Sequence, residues 1–373
     1  LDGKNHTINS LYICNQSSSS TGTAGLFREV GYGASVTNLG LVGGSITNLA
    51  GGLGTAQEYN AFGSLAGYNL GTIDHCYSTA NVIVNTGISG ENQFDYIGGL
   101  VGINMIPEYS LTKAAIASQN PHGVVNNSYF SGTLNVSSAA YVGGLVGYNQ
   151  GEINACYNTA PVSVLDSIAV GGLVGQNVTI ITNSYNSGAV LSSTSRGYST
   201  TDRGPGDDII SITYYTMVGG LVGSSTVLLG ITSNLSPDNI LNCYNSGSVT
   251  YAIGGLCGRY GGGNLSTYYW RPIVDCYNAG KVSSNSGVDY IGGFIGYYCR
   301  KSATVNGANI GENIQDSYWD ITASGQAQSF GRQYTSSGYD GSWVTQYGQP
   351  LPDTLTGLSH TAGPCWSVNI VPP

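Results

Sequence analysis

Charge is scarce in this sequence. Its 373 residues include 11 basic and 20 acidic side chains, so 8% is charged, where a soluble globular protein carries about 25%. With so few cations and a net charge of -9, no basic stripe exists to neutralise phosphates or an anionic bilayer, which excludes a nucleic-acid binder held by backbone contacts. No run approaches the ~18 consecutive apolar residues of a membrane span, so membrane insertion is not expected. Histidine occurs at positions 6, 75, 122 and 360 alone and no Cys-x-x-Cys is present, so no metal site has ligand spacing behind it. No His-Glu-x-x-His, no Gly-x-Ser-x-Gly elbow and no phosphate loop occurs, and Gly261-Gly262-Gly263 lacks the Lys-Ser/Thr that a phosphate loop needs. We therefore expect no cofactor.

Abundance lies elsewhere, in 57 glycines and 28 tyrosines with 41% apolar residues. Glycine at that level argues against long helices, and the apolar content excludes a disordered tail. Length alone suggests two or three domains, unless a repeat lets one core grow without limit. A repeat is present. Gly98-Gly99-Leu100-Val101-Gly102 recurs from Gly143, Gly171 and Gly219, with variants from Gly254 and Gly292 and earlier relatives at Gly63 and Ala24. A second block follows each full copy, centred on Tyr77, Tyr129, Tyr157, Tyr185, Tyr244, Tyr277 and Tyr318, and Asn follows the tyrosine at 158, 186, 245 and 278.

The tightest unit, Gly143 to Gly171, is 28 residues long. Alternation of Val162, Val164, Val190 and Val249 with small polar residues reads as strand, about three strands per unit. Such a unit cannot bury its apolar face alone, whereas a stack with strands ~4.8 Å apart can. The expected fold is all-β, a parallel β-solenoid of about seven to eight irregular coils. The glycine pairs mark either sharp bends or sites without room for a Cβ. Leu100, Leu145, Leu173, Leu221, Leu256 and Phe294 point inward, the tyrosines form a column, and the asparagines form a partial amide ladder.

These blocks resemble the GLUG motif of microbial cell-surface proteins over residues 24 to 325. Ser317-Tyr318-Trp319-Asp320 with Ser324-Gly325-Gln326 resembles that family's closing segment, and residues 1 to 8 resemble the opening strand of secreted β-helices. Some immunoglobulin-cleaving metalloproteases carry such repeats beside a separate catalytic domain, whose zinc motif this chain lacks. We divide the chain into solenoid repeats, 1–325, and a Tyr/Gly/Pro-rich tail, 326–373, that covers the last coil or docks onto a neighbour. The opening residues show no signal-peptide order, which reads as a processed or excised form.

Insertions lengthen the unit between Ile103 and Asn126 and between Ala189 and Val218. The second gathers Arg196, Asp202, Arg203, Asp207 and Asp208 around Gly204-Pro205-Gly206, a solvated loop without the acidic spacing of a calcium site. Eight cysteines are compatible with an oxidising compartment. Of those sharing a register, Cys243 and Cys276 alone stand in consecutive copies, within the ~4.4–6.8 Å Cα range of a disulfide; Cys76 and Cys156 are two spacings apart. Pairings of Cys14, Cys257, Cys299 and Cys365 stay open. Sequons at Asn5, Asn15, Asn126, Asn135, Asn177, Asn234 and Asn264 matter if the chain meets a glycosylating route.

Recurrent Gly, Leu, Cys/Ser, Tyr and Asn positions do not suit acid or base work at neutral pH, the acids are dispersed, and Asp316 and Asp320 read as turn residues. A polysaccharide-degrading enzyme is thus the weakest reading. Two others share the solenoid: a self-assembling extracellular structural protein joined to copies of itself, and an adhesin stalk whose loops bind host or cell-wall glycans. Low charge, stacked tyrosines and a strand-like start favour edge-to-edge assembly.

Overall fold

A computed structural model describes residues 1–15, 23–48, 60–85, 95–105, 122–193, 198–203, 209–214, 216–226, 240–251, 254–261, 273–284, 291–299, 304–305, 308–309, 314–315, 317–334 and 349–350. It is an all-β parallel solenoid with three long sheets. The 28-residue unit shows how one coil is laid down. Gly143-Gly144-Leu145 turns the chain into Val146–Asn149, a strand of sheet C; Glu152–Asn154 and Tyr157–Asn158 then join sheet A, and Val162–Gly171 runs along sheet B to the next glycine pair. Among the described residues every pairing along the three sheets is parallel, and many join like to like, for example Val146 with Val174, Ile153 with Ile181, and Tyr157 with Tyr185.

Sheet B shows why these residues form strands. Ile13, Ile46, Val82, Leu134, Val162, Val190, Val249 and Val282 stack in one inward column, and their immediate neighbours face out, a period of two that β-branched residues suit. Leu100, Leu145, Leu173, Leu221, Leu256 and Phe294 are all fully buried. Each such side chain contributes about 1.5–3 kcal/mol when buried, but only because the coils above and below supply its cover.

The glycine pairs turn the chain into sheet C, but they are not left-handed bends. No glycine of the repeated blocks has a positive φ; among the described residues that property falls to Gly33, Gly43, Gly44, Gly261 and Gly325. Space is what they provide. A Cβ on Gly172 would stand 2.0 Å from the carbonyl oxygen of Gly220 and 2.2 Å from Nδ2 of Asn186. The last glycine of each block serves differently: a Cβ on Gly147 would meet the backbone nitrogen of Ile97 at 2.5 Å, and one on Gly175 that of Val142 at 2.7 Å. There the backbone of sheet C lies directly against that of sheet B one coil earlier.

The bend itself sits two residues before each tyrosine position. Asn5, Asn38, His75, Asn127, Ala155, Asn183, Asn242 and Asp275 all have φ between 45 and 61. Asparagine and aspartate tolerate this left-handed region better than other residues with a Cβ, which accounts for six of the eight.

Beyond residue 325 the stack continues. Asp320 caps a helical turn, Ile321–Ser324, by accepting from the Ala323 amide at 2.8 Å. Phe330–Tyr334 then pairs with Ile295–Cys299 in sheet C, and Gln349–Pro350 with Tyr318–Trp319 in sheet A. The start of the expected tail therefore adds a rung, because its apolar residues complete the coil above. Part of the second insertion is an antiparallel hairpin, Tyr198–Arg203 against Ile209–Tyr214. Its tip at Gly204-Pro205-Gly206 lies outside the described residues, with Arg196, Asp207, Asp208, Asp316, Cys365, Asn234 and Asn264.

Ala155 is the one bend residue with neither a polar side chain nor a ring. Ala155→Asn is expected to raise stability by about 1 kcal/mol, most of the cost of an alanine in this conformation. Ala155→Val is expected to lower it. The shift of the urea midpoint measures both.

Candidate functional site

The residues that follow the bend form one composite column along sheet A. At each coil the chain reads bend residue, Cys or Ser, Tyr, then Asn or a larger side chain, and the short strand makes the tyrosine face out and its successor face in. Tyr77, Tyr129, Tyr157, Tyr185, Tyr244 and Tyr277 stack with ring centroids 4.7–5.0 Å apart and planes within 13° of parallel. Below Tyr77 the column ends on Gly40, where a Cβ would stand 2.5 Å from the ring. Tyr318 continues the column in backbone register. Each ring covers the face of the next, so a sugar could lie flat on a tyrosine only by displacing its neighbour. Burial, with the adjoining tyrosines, pushes the phenols of Tyr129, Tyr157 and Tyr244 above their ordinary value, and burial alone pushes up that of Tyr185. They stay protonated at neutral pH.

On the inner side Asn158, Asn186, Asn245 and Asn278 form the expected ladder. Each Nδ2 donates to the next Oδ1, at 2.9, 2.9 and 2.8 Å, and Asn278 donates instead to the Gly293 carbonyl at 2.9 Å. The same amides bind the backbone two residues on: Asn186 donates to the Gly188 carbonyl at 2.8 Å and accepts from its N–H at 3.2 Å. The second glycine of each pair makes the necessary room, since a Cβ on Gly144, Gly172, Gly220 or Gly255 would strike the facing asparagine. This contact explains why the two sequence blocks travel together. The ladder runs from Phe130 to Trp319, whose indole N–H donates to the Gln326 carbonyl at 3.0 Å.

A second amide ladder was not anticipated. Asn69, Asn104, Asn149 and Asn177 are fully or almost fully buried at the end of sheet C, each donating to the next at 2.8 Å. Its signal was present: these asparagines stand six residues after Gly63, Gly98, Gly143 and Gly171.

That ladder removes one candidate glycosylation site, because the Asn177 amide is buried and bonded to the Thr179 carbonyl at 2.7 Å. Asn5 and Asn135 are exposed, Asn126 is half-buried, and the Asn15 side chain lies outside the described residues.

The cysteines also depart from expectation. Among the described residues Cys243 and Cys276 are not joined, so the candidate Cys243–Cys276 disulfide is absent. In-register parallel neighbours hold like Cβ atoms about one strand spacing apart, ~4.8 Å, which exceeds the ~3.5–4.5 Å of a disulfide. The thiols alternate instead with serines in a backbone-linking column. Cys276 Sγ donates to the Val274 carbonyl at 3.1 Å and accepts from the Cys243 N–H at 3.4 Å. Ser184 Oγ likewise donates to the Thr182 carbonyl at 2.6 Å and accepts from the Cys156 N–H at 3.1 Å. Burial pushes Cys76 up to about 11, and Cys156 and Cys257 to about 12.

Titratable pairs stand on the surface. His75 lies 2.9 Å from Asp74, and His122 lies 3.4 Å from Glu152 with both side chains about 40% exposed. The hydrogen bond from His122 holds Glu152 below the usual carboxylate range. Among the described residues no three His, Cys, Asp or Glu side chains stand together as a metal site would require, and no helix is long and apolar enough to cross a membrane.

Comparison with known families now has a geometry to meet. The GLUG motif model matches residues 58–83, 138–164 and 166–191. The chain carries GLUG repeats. Each matched segment spans about one turn of the solenoid, from the outgoing half of sheet B through sheets C and A and back. Backbone register carries the same GLUG turn on to Gly219, Gly254 and Gly292, which the model leaves unmatched. No curated protein and no solved structure matches the chain.

Asn186→Ala would leave the Gly188 N–H without its acceptor and take one coil-to-coil hydrogen bond from each neighbouring side-chain amide, Asn158 keeping Ala160 and Asn245 keeping Gly247 and Asn278. At about 1–3 kcal/mol for a buried group left unsatisfied, with those two hydrogen bonds lost besides, the expected loss is about 3 kcal/mol in chemical denaturation, whereas alanine at exposed Asn135 should cost under about 0.5 kcal/mol.

Alkaline stability gives a second check. A thiol that titrates near 9 when unfolded and near 12 at Cys156 keeps its proton longer in the folded chain. Between those values the unfolded state binds fewer protons, so stability is full below about pH 8 and falls as pH rises, by up to about 1.4 kcal/mol per unit for each such thiol. Cys156→Ser should flatten the fall measured between pH 9 and 11.

Proposed function

We propose that this GLUG-repeat protein is a structural component of an extracellular layer, sheath or fibre, not a catalyst, and that copies join through the strand edges of the stack. The observation that carries the reading is the stack itself. Coil after coil joins the next through parallel strand edges in all three sheets, with like residues in register. Strands such as Tyr12–Asn15, Val249–Thr250 and Val282–Ser283 carry neither charge nor proline, the usual devices that stop another strand from adding.

The interior supports a load-bearing role over a chemical one. Its repeating polar groups are amides, hydroxyls and thiols spent on holding coil to coil. Thiols raised to about 11 or 12 and phenols pushed above their ordinary value do not serve as acids or bases at neutral pH. The extracellular location rests on the resemblance to microbial cell-surface proteins. A second reading, the adhesin stalk, draws on the inserted hairpin Tyr198–Arg203 with Ile209–Tyr214, since recognition concentrates on loops held by a rigid scaffold.

Electron microscopy with sedimentation tests the assembly. The purified chain is expected to form rods longer than one molecule, and Ile13→Asp, which sets a charge in the strand Tyr12–Asn15, to shorten them. A sharply monodisperse monomer at high concentration would end the reading. Glycan binding that vanishes when residues 194–215 are removed, with rods unaffected, would favour the adhesin.

A further inference from the structure

We propose that the outer face of sheet B is a side-by-side interface with a second copy of this chain, independent of any joining at the rungs. Three of the exposed large apolar side chains stand on this face: Leu165 at 56%, Leu191 at 43% and Ile83 at 37% exposure. Ile83 and Leu191 share one outward column, separated by Asn135 and Ser163.

The face is also nearly uncharged. Among the described residues from Tyr12 to Ser283 its outward positions are hydroxyl, amide, small or apolar residues, and Lys281, just before the last strand, is the one charged side chain among them; Asp166, just past Leu165, is half-buried. Sheet A, by contrast, turns Asp74, His75, Glu152 and Asp275 outward, and sheet C carries Arg28, Glu29 and Arg259. In a chain of net charge -9, this face lets two copies meet without opposing like charges.

Period and area identify the occupant. Rows on this face repeat at the strand spacing of ~4.8 Å, and a second copy has the same period, so the branched side chains of one face can seat over the Ser163 and Asn135 recess of the other. Eight strands are stacked in this run, giving a face ~34 Å long and about two outward residues, ~13 Å, wide. Sheets packed at ~10 Å across it would bury on the order of 900 Å² in total, the size of a weak, reversible contact.

Sedimentation and small-angle scattering over a concentration series read the outcome. The wild-type chain is expected to double its cross-section as concentration rises, whether or not its rods also lengthen end to end. Salt should strengthen it, because screening relieves the net repulsion and the face has no ion pairs to lose. Ile83→Lys with Leu191→Lys should weaken it at least tenfold, as should Ser163→Arg at its centre, each checked for native circular dichroism and thermal midpoint. Association unchanged in folded variants, a monomer at every concentration, or growth in length alone would overturn the proposal. The last of these would leave rung-to-rung assembly standing.

Discussion

In-register stacking of identical groups is the constraint on which this molecule depends. A buried carboxamide has two donors and an acceptor to satisfy, and inside the solenoid the partner for each is the same carboxamide one coil away. Asn158, Asn186, Asn245 and Asn278 meet that demand on one side of the core, and Asn69, Asn104, Asn149 and Asn177 on another. A slip of one residue would turn every asparagine outward and every tyrosine inward, breaking both ladders together. Apolar columns tolerate small errors of placement; amide ladders do not, so the ladders set register while the leucines and valines supply most of the burial.

The remaining repeated features serve that register. Glycine stands where a Cβ would collide with an asparagine or a carbonyl of the next coil. Asparagine or aspartate at the bend absorbs the left-handed turn that aims one residue out and the next in. Cysteine and serine exchange freely in the column beside the tyrosines because either can donate to a carbonyl and accept an N–H. A thiol in that role is a small buried donor, and its presence carries no information about the redox state of the compartment.

Division of labour follows from this interior. Positions inside the coil are bound by neighbours on two sides, which leaves the outward faces and the insertions as the places where one such rod can differ from another. Among the described residues the outer faces differ in charge, sheet A turning out Asp74, Glu152 and Asp275 and sheet B only the half-buried Asp166 and, just before its last strand, Lys281, although all three are built from the same turn.

The sequence by itself determined the parallel solenoid, the inward leucines, the tyrosine column and the first asparagine ladder, because a period of 28 residues with like residues at like positions admits one stacking. It also contained the second ladder, six residues after each glycine, but hid it among asparagines common enough to read as sequons. Only tertiary structure decided what the glycines are for, since a turn and a close approach leave the same letter and differ in φ. Cys243 and Cys276 form no disulfide for a similar reason: adjacency in register was legible, but the Cβ separation that a parallel pair imposes is a property of the sheet. Exposure of Asn135 and burial of Asn177 were likewise settled by which side of a strand each occupies, which local sequence does not state.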